Sequence, residues 1–369
     1  MKIGLCTGGG DCPGLNAVIR AVVKHAVGSY GWQVFGIKDS FNGLMSDPLG
    51  VRSLELSDVS EILTRGGTIL GTTNKGDPFD PKKNKDKSES LDETVIRNYK
   101  KLGLDAVIVI GGDGTQTIAA KLAEGGMNIV GIPKTIDNDL MATDKTVGFD
   151  TAVEVASEAL ERLTSTAESH DRIMVLEVMG RDAGYIALHS GIAGGANVIL
   201  LPEIPYSYEP IVAKIESRKS VGRYFSVVVV AEGAYPAGGG AVYSQTQTSA
   251  HKPLNLGGIG QQVAETLHQK TGFDSRYTVL GHIQRGGRPT PYDRVLGSAF
   301  GVHAVDMVQK KQFGRLVSYR GGEFVETDYS VVAGKSRPID LDSPYLKTAE
   351  GLGICLGRPL TFDMKTAPE

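Results

Sequence analysis

Two carboxylates two residues apart, Asp137 and Asp139, stand in the run Pro133-Lys134-Thr135-Ile136-Asp137-Asn138-Asp139, with an amide between them and a lysine just ahead. Acids this close raise one another's pKa, while an adjacent ammonium or divalent cation lowers it, so one can be tuned as a proton acceptor. A solvated turn rich in Asp and Asn has the same composition, and the run alone leaves both readings open. Gly111-Gly112-Asp113-Gly114-Thr115 sets another carboxylate where amides would favour phosphate. An acid there repels a bare phosphate but suits Mg2+, which takes one or two carboxylates and fills its shell with phosphate oxygens and water. The alternative is an Asp that caps a turn or helix. Thr7-Gly8-Gly9-Gly10-Asp11-Cys12-Pro13-Gly14 opens a helix beginning near Leu15, so its amides either face an anion or make a tight strand-to-helix turn. The GxGxxG spacing is missing there and no GxxxxGK[ST] occurs, which argues against both common nucleotide-binding fingerprints.

The elements that must position these loops are visible as short apolar runs. Ile3–Cys6, Val107–Ile110, Ile129–Ile132, Val175–Val178 and Val227–Val230 read as strands, several of them apolar on both faces. Such strands belong in a parallel sheet buried under helices, so the chain is expected to be α/β, with open, doubly wound, mostly parallel sheets. Thr151 to Arg162 reads as a surface helix with Asp150 as N-cap and Val155, Ala159 and Leu163 at four-residue spacing. The 48 glycines cluster where strands end, which is where open α/β sheets bind ligands. Pro78–Glu93 and Pro236–Gly258 read as mobile surface loops.

At 369 residues the chain exceeds what one core usually serves, so two lobes are expected. A hydrophobic fraction of 41% and a charged fraction of 22% are those of an ordinary globular protein. The formal net charge of -3 gives no field to gather nucleic acid or anionic lipid, so an anionic substrate must be held by local arginines. Three cysteines without CxxC spacing fit neither a disulfide framework nor a zinc site. With no signal-peptide run and no membrane span, the cytoplasm is the expected compartment.

Taken in order, Gly8–Asn16, Gly111–Thr115 and Pro133–Asp139 strongly resemble the 6-phosphofructokinases. Glu177-Val178-Met179-Gly180-Arg181, Ala231-Glu232-Gly233 and Leu280–Gly287 resemble that family's sugar-phosphate site, in its order and at about its spacing. The resemblance implies transfer of a phosphoryl group from MgATP, or in some members from pyrophosphate, to the 1-hydroxyl of fructose 6-phosphate. It implies that Asp137 takes the hydroxyl proton, that Asp113 holds Mg2+, and that Gly10, Gly112, Gly114 and Thr115 cradle the donor. Thr135 and Arg181 would attend the moving phosphoryl, with Ile136 in the same substrate loop. Arg172, Glu232, Arg276, His282, Ile283, Gln284 and Arg285 would contact the sugar phosphate, with Met179 and Gly180 lining its pocket. Arg172 and Arg276 would reach into a neighbouring subunit's site, which makes the chain a homo-oligomer, a tetramer or dimer. The lobes implied are 1–140 with 255–305 for the donor and 141–254 with 306–369 for the sugar phosphate.

Two positions bear on the donor. Pyrophosphate users of the family typically carry Asp where this chain has Gly114 and Lys where it has Lys134, whereas many ATP users have glycine at both. An Asp at 114 would crowd and repel the α-phosphate of a nucleotide, and glycine leaves that space open, so ATP is the expected donor. Pyrophosphate dependence is the alternative, and a non-catalytic sugar-phosphate-binding subunit is disfavoured because both Asp137 and Asp113 are present. The tail beyond Arg320 carries no legible motif.

Overall fold

The computed structural model describes residues 1–80, 90–240 and 256–359. Eleven strands among them are numbered in chain order: β1 (Lys2–Thr7), β2 (Gln33–Ile37), β3 (Val51–Leu54), β4 (Ala106–Gly111), β5 (Ile129–Pro133), β6 (Ile173–Val178), β7 (Val198–Leu200), β8 (Ser226–Ala231), β9 (Ser275–Val279), β10 (Arg315–Arg320) and β11 (Glu323–Asp328). The five runs that are apolar in sequence became β1, β4, β5, β6 and β8. β4, β5, β6 and β8 are buried at every position, as a strand covered on both faces must be.

The first unit, Met1–Thr151 with Arg285–Arg337, holds a seven-stranded sheet of order β11-β10-β5-β4-β1-β2-β3. Its five central strands run parallel, and β3 and β11 close the two edges antiparallel. The helix Leu15–Tyr30 packs on the helix Pro291–Gln309, where Gly301 lets the backbones approach so closely that a Cβ there would lie 2.7 Å from the Cβ of Ala21. The second unit, Ala152–Gln284 with the described residues from Pro338 on, holds an all-parallel sheet of order β7-β8-β6-β9.

The division departs from the boundaries expected from sequence at three places, the first being that residues 141–151 stay with the first unit. Residues 306–337 return to the first unit, because β10 pairs with β5 through Arg315–Val130 and Leu316–Gly131. Residues 256–284 join the second, because β9 pairs with β6 and the helix Ile259–Thr271 packs beside both.

Two local expectations are also corrected. The helix expected from Thr151 spans Phe149–His170, so Asp150 lies inside its first turn and its carboxylate accepts the Thr290 hydroxyl at 2.7 Å. Ala152, Ala156 and Leu160 form its buried stripe, while Val155, Ala159 and Leu163 are half-buried. The loop expected over Pro78–Glu93 ends at Ser90, whose N–H donates to the Glu93 carboxylate at 3.1 Å and starts the helix Leu91–Lys101. Its residues 81–89, and residues 241–255 of the other expected loop, lie outside the described residues.

Candidate active site

Because β5, β4 and β1 are parallel neighbours, the loops leaving their carboxyl ends lie side by side. They are stitched together: Gly8 N–H donates to the Ile110 carbonyl at 2.9 Å, and Lys134 N–H donates to the Gly111 carbonyl at 3.0 Å. Thr115 fills the space behind both glycine loops. A Cβ at Gly111 would stand 2.4 Å from its Cβ, and one at Gly8 would stand 2.6 Å from its Cγ2, so this approach is open to glycine alone. Gly9 N–H donates to Thr73 O at 3.1 Å and the Gly9 carbonyl accepts the Thr72 hydroxyl at 2.7 Å, which lays Thr72 and Thr73 beside the first loop.

Gly112 is the N-cap of the helix Asp113–Glu124, so Asp113, Gly114 and Thr115 form its first turn, where free amides gather and the helix dipole favours anions. A Cβ at Gly114 would meet nothing within 4 Å. Asp113 Oδ1 accepts the Gly334 N–H at 3.0 Å. Among the described residues no group of three or more His, Cys, Asp or Glu side chains could hold a metal ion. A cation at Asp113 would therefore complete its shell with phosphate oxygens and water, the donor set that suits Mg2+.

Asp137 is 6% exposed and sits in the loop that follows β5. Its N–H donates to Thr135 Oγ1 at 3.1 Å, and the Thr135 hydroxyl donates to Asp137 Oδ2 at 3.3 Å. Asn138 takes the left-handed conformation, φ 52°. From there its Oδ1 accepts the Thr146 N–H at 3.0 Å and its Nδ2 donates to Asp144 O at 3.1 Å. The Thr146 hydroxyl closes the loop by donating to Thr135 O at 2.7 Å. Ile136 is buried beneath it. Lys134 is also buried, and its ammonium donates to the Gly10 carbonyl, tying the first loop to the third. Burial pushes its pKa below the usual lysine range; Asp137 and Asp11 oppose that shift, and Arg285 adds to it. Arg285 belongs to this unit as well, with its guanidinium over Gly10, where a Cβ would stand 2.7 Å from Nη1.

In the second unit the same logic operates on β8, β6 and β9, which are parallel neighbours. Beyond their carboxyl ends stand Met179–Arg181, Glu232 and Gly281–Gln284. Arg181 is left-handed at φ 54°, its N–H donates to Glu232 Oε1 at 3.0 Å, and a Cβ at Gly233 would stand 2.1 Å from its carbonyl oxygen. Met179 and Gly180 are buried, and Arg181, His282 and Ile283 are exposed. Gln284 is fully buried and turns its amide to the Gly281 carbonyl at 3.0 Å, inward rather than toward solvent.

Arg172 and Arg276 are not with this group. They lie at the amino ends of β6 and β9, where Asp274 holds both: Arg172 Nε at 2.7 Å and Arg276 Nη1 on the other carboxylate oxygen. The six residues of β6 separate Arg172 from Met179, about 20 Å at roughly 3.3 Å per residue and further than a side chain reaches.

Contacts invisible in sequence complete the first unit's site: the Thr146–Asn138 brace, the Lys134 tie to Gly10, and the bonds from Gly334 and Arg337 to the Asp113 and Asp137 loops. Lys134, Asn138 and Asp113 stand in runs that the sequence marks by composition; Thr146, Gly334 and Arg337 carry no local signal.

The phosphofructokinase family model matches residues 2–308. ATP-dependent 6-phosphofructokinase 1 of Synechocystis sp. is 49% identical over 357 residues, covering 96% of this chain and 98% of that protein. Pyrophosphate--fructose 6-phosphate 1-phosphotransferase of Amycolatopsis methanolica is 50% identical over 325 residues, covering 88% of this chain and 92% of that one. Among solved structures, Pichia pastoris phosphofructokinase in the T-state superposes with a TM-score of 0.77 at 31% identity, covering 89% of this chain and 35% of that longer one.

Proposed function

The chain belongs to the phosphofructokinase family, and on that premise we propose that it is an ATP-dependent 6-phosphofructokinase. It moves the γ-phosphoryl group of MgATP to the 1-hydroxyl of fructose 6-phosphate, giving fructose 1,6-bisphosphate and ADP. Phosphoryl transfer through a loose transition state asks a protein mainly for alignment and for cations around the moving charge. Asp137, held by Thr135, accepts the proton of the attacking hydroxyl. The amides of Gly10 and of the first turn at Gly112–Thr115 carry the donor's phosphates, and Arg285 with Lys134 supplies positive charge beside Gly10. Asp113 would hold Mg2+, which would supply charge neutralisation to the donor's phosphates. Arg181, Glu232 and His282 grip the sugar phosphate.

The amino-end position of Arg172 and Arg276 supports their service to a neighbouring copy, since their own chain's Met179–Arg181 loop is beyond their reach. The exposed Tyr277 and Val279 on the edge strand β9 suit coverage by that copy. Free, buried cysteines are compatible with a cytoplasmic setting.

The observation that carries the donor choice is the open space at Gly114, which leaves room for a nucleotide's α-phosphate. Pyrophosphate is the second reading, favoured by Lys134 and by the 50% identity to the Amycolatopsis enzyme. The overall reading is tested by incubating the purified chain with fructose 6-phosphate, Mg2+ and ATP and coupling product to aldolase. Absence of fructose 1,6-bisphosphate from a folded oligomer refutes it.

A further inference from the structure

The proton-accepting loop is braced from within by Asn138 and Thr146, but the carbonyls that follow Asp137 are held from far along the chain. Asn138 O accepts the Arg337 Nη2 at 2.8 Å, and Asp139 O accepts the Arg337 N–H at 2.7 Å. Leu140 pairs with Ser336 as an antiparallel bridge. The same guanidinium lies 3.5 Å from Asp144 O, so one side chain spans the outgoing and returning limbs of the loop. Three residues earlier, Gly334 N–H donates to Asp113 Oδ1 at 3.0 Å and to Thr117 Oγ1 at 2.9 Å. A single short segment thus bonds the Asp113 carboxylate directly and the Asp137 loop through the two backbone carbonyls that follow Asp137.

We infer that Arg337 is a positioning residue for the Asp137 loop: it fixes the base through the two carbonyls that follow it, and Gly334 holds the metal-binding carboxylate from the same strut. The inference rests on the phosphofructokinase reading of Asp137 and Asp113. Its physical basis is that a planar guanidinium donates in several fixed directions at once, whereas an ammonium is a point charge on a flexible stem. A carboxylate whose loop loses such a clamp drifts, and a misplacement of about 1 Å costs a reaction on the order of 10²-fold.

The test compares Arg337→Ala, Arg337→Lys and the wild type in the full chain. Arg337→Ala is expected to lower kcat by at least about tenfold while KM for fructose 6-phosphate and for MgATP stays within about threefold, with Arg337→Lys falling between Ala and wild type. Guanidinium ion at millimolar, non-denaturing concentration is expected to restore part of the kcat of Arg337→Ala. Hydrogen exchange of residues 136–146 supplies a readout that needs no turnover, and it should quicken in Arg337→Ala and, less so, in Arg337→Lys. Inactivity of the wild type sinks the phosphofructokinase reading and leaves the exchange experiment standing. Wild-type exchange in that loop, a kcat within twofold of wild type, or a kcat loss that tracks a fall in Tm and ignores guanidinium overturns the role given to Arg337. Should Arg337→Ala not fold, Arg337→Lys decides by the same criteria.

Discussion

Replacing Asp137 by Asn isolates proton acceptance from everything else the residue does. The amide oxygen keeps an acceptor for the Thr135 hydroxyl, and the backbone bond from residue 137 to Thr135 Oγ1, 3.1 Å in the native chain, does not involve the side chain. Asn138, Thr146 and Thr135 still close the loop. The bond lost or weakened is a long one at 3.3 Å, worth at most about 1 kcal/mol to stability. On the proposed role the proton acceptor is lost entirely, and general-base removal costs about 10²- to 10⁴-fold, or roughly 3 to 5 kcal/mol of transition-state stabilisation. The assay is steady-state turnover with MgATP and fructose 6-phosphate, alongside sugar-phosphate binding by calorimetry and thermal melting. The expected pattern is a kcat at least about 100-fold lower with fructose 6-phosphate affinity and Tm nearly unchanged. A variant with wild-type kcat, or one whose whole defect lies in fructose 6-phosphate binding, removes Asp137 from the role of base.

Gly114→Asp should fold normally, because its Cβ meets nothing within 4 Å, and should weaken MgATP use by about 10²-fold through repulsion of a few kcal/mol; unchanged KM and kcat for ATP would remove this position from donor choice. Asp274→Asn frees Arg172 and Arg276 from their shared carboxylate and should raise KM for fructose 6-phosphate by about tenfold with a smaller effect on kcat, measured at fixed oligomeric state. Asp293 is fully buried, accepts bonds from Gly148 N–H and from the Thr151 N–H and hydroxyl, and is pushed by burial up to about 6. Its folded pKa lies above its unfolded one, so the stability it confers is greatest at low pH and is lost as pH rises through 6. The urea-unfolding free energy of wild type relative to Asp293→Asn should therefore grow by about 1 kcal/mol from pH 7 to pH 5, and a flat difference contradicts the raised pKa.

How much of this was legible in the sequence follows from where each signal sits. β4, β5, β6 and β8 were readable because burial on both faces leaves uninterrupted apolar runs. β9 was not, since it is an edge strand with Arg276, Tyr277 and Val279 exposed, and β11, an edge strand of the other sheet, is broken by the acids Glu323, Glu326 and Asp328. The return of 306–337 to the first sheet depends on two residue pairs between β10 and β5, a choice made by tertiary packing and written in neither strand. The candidate site loops showed because glycine and acid clusters are local. Their support did not, because Arg337 lies 199 residues from Asn138 and Gly334 lies 221 from Asp113. Asp150 misled as a cap for the same reason: the partner that claims its carboxylate, Thr290, is 140 residues away.

The central claim is phosphoryl transfer to fructose 6-phosphate from ATP, and a side-by-side donor assay tests it most directly. With Mg2+ and fructose 6-phosphate held constant, ATP and pyrophosphate are supplied separately to the same preparation and fructose 1,6-bisphosphate is followed. The account predicts turnover with ATP and none above background with pyrophosphate. Turnover with pyrophosphate alone would contradict it.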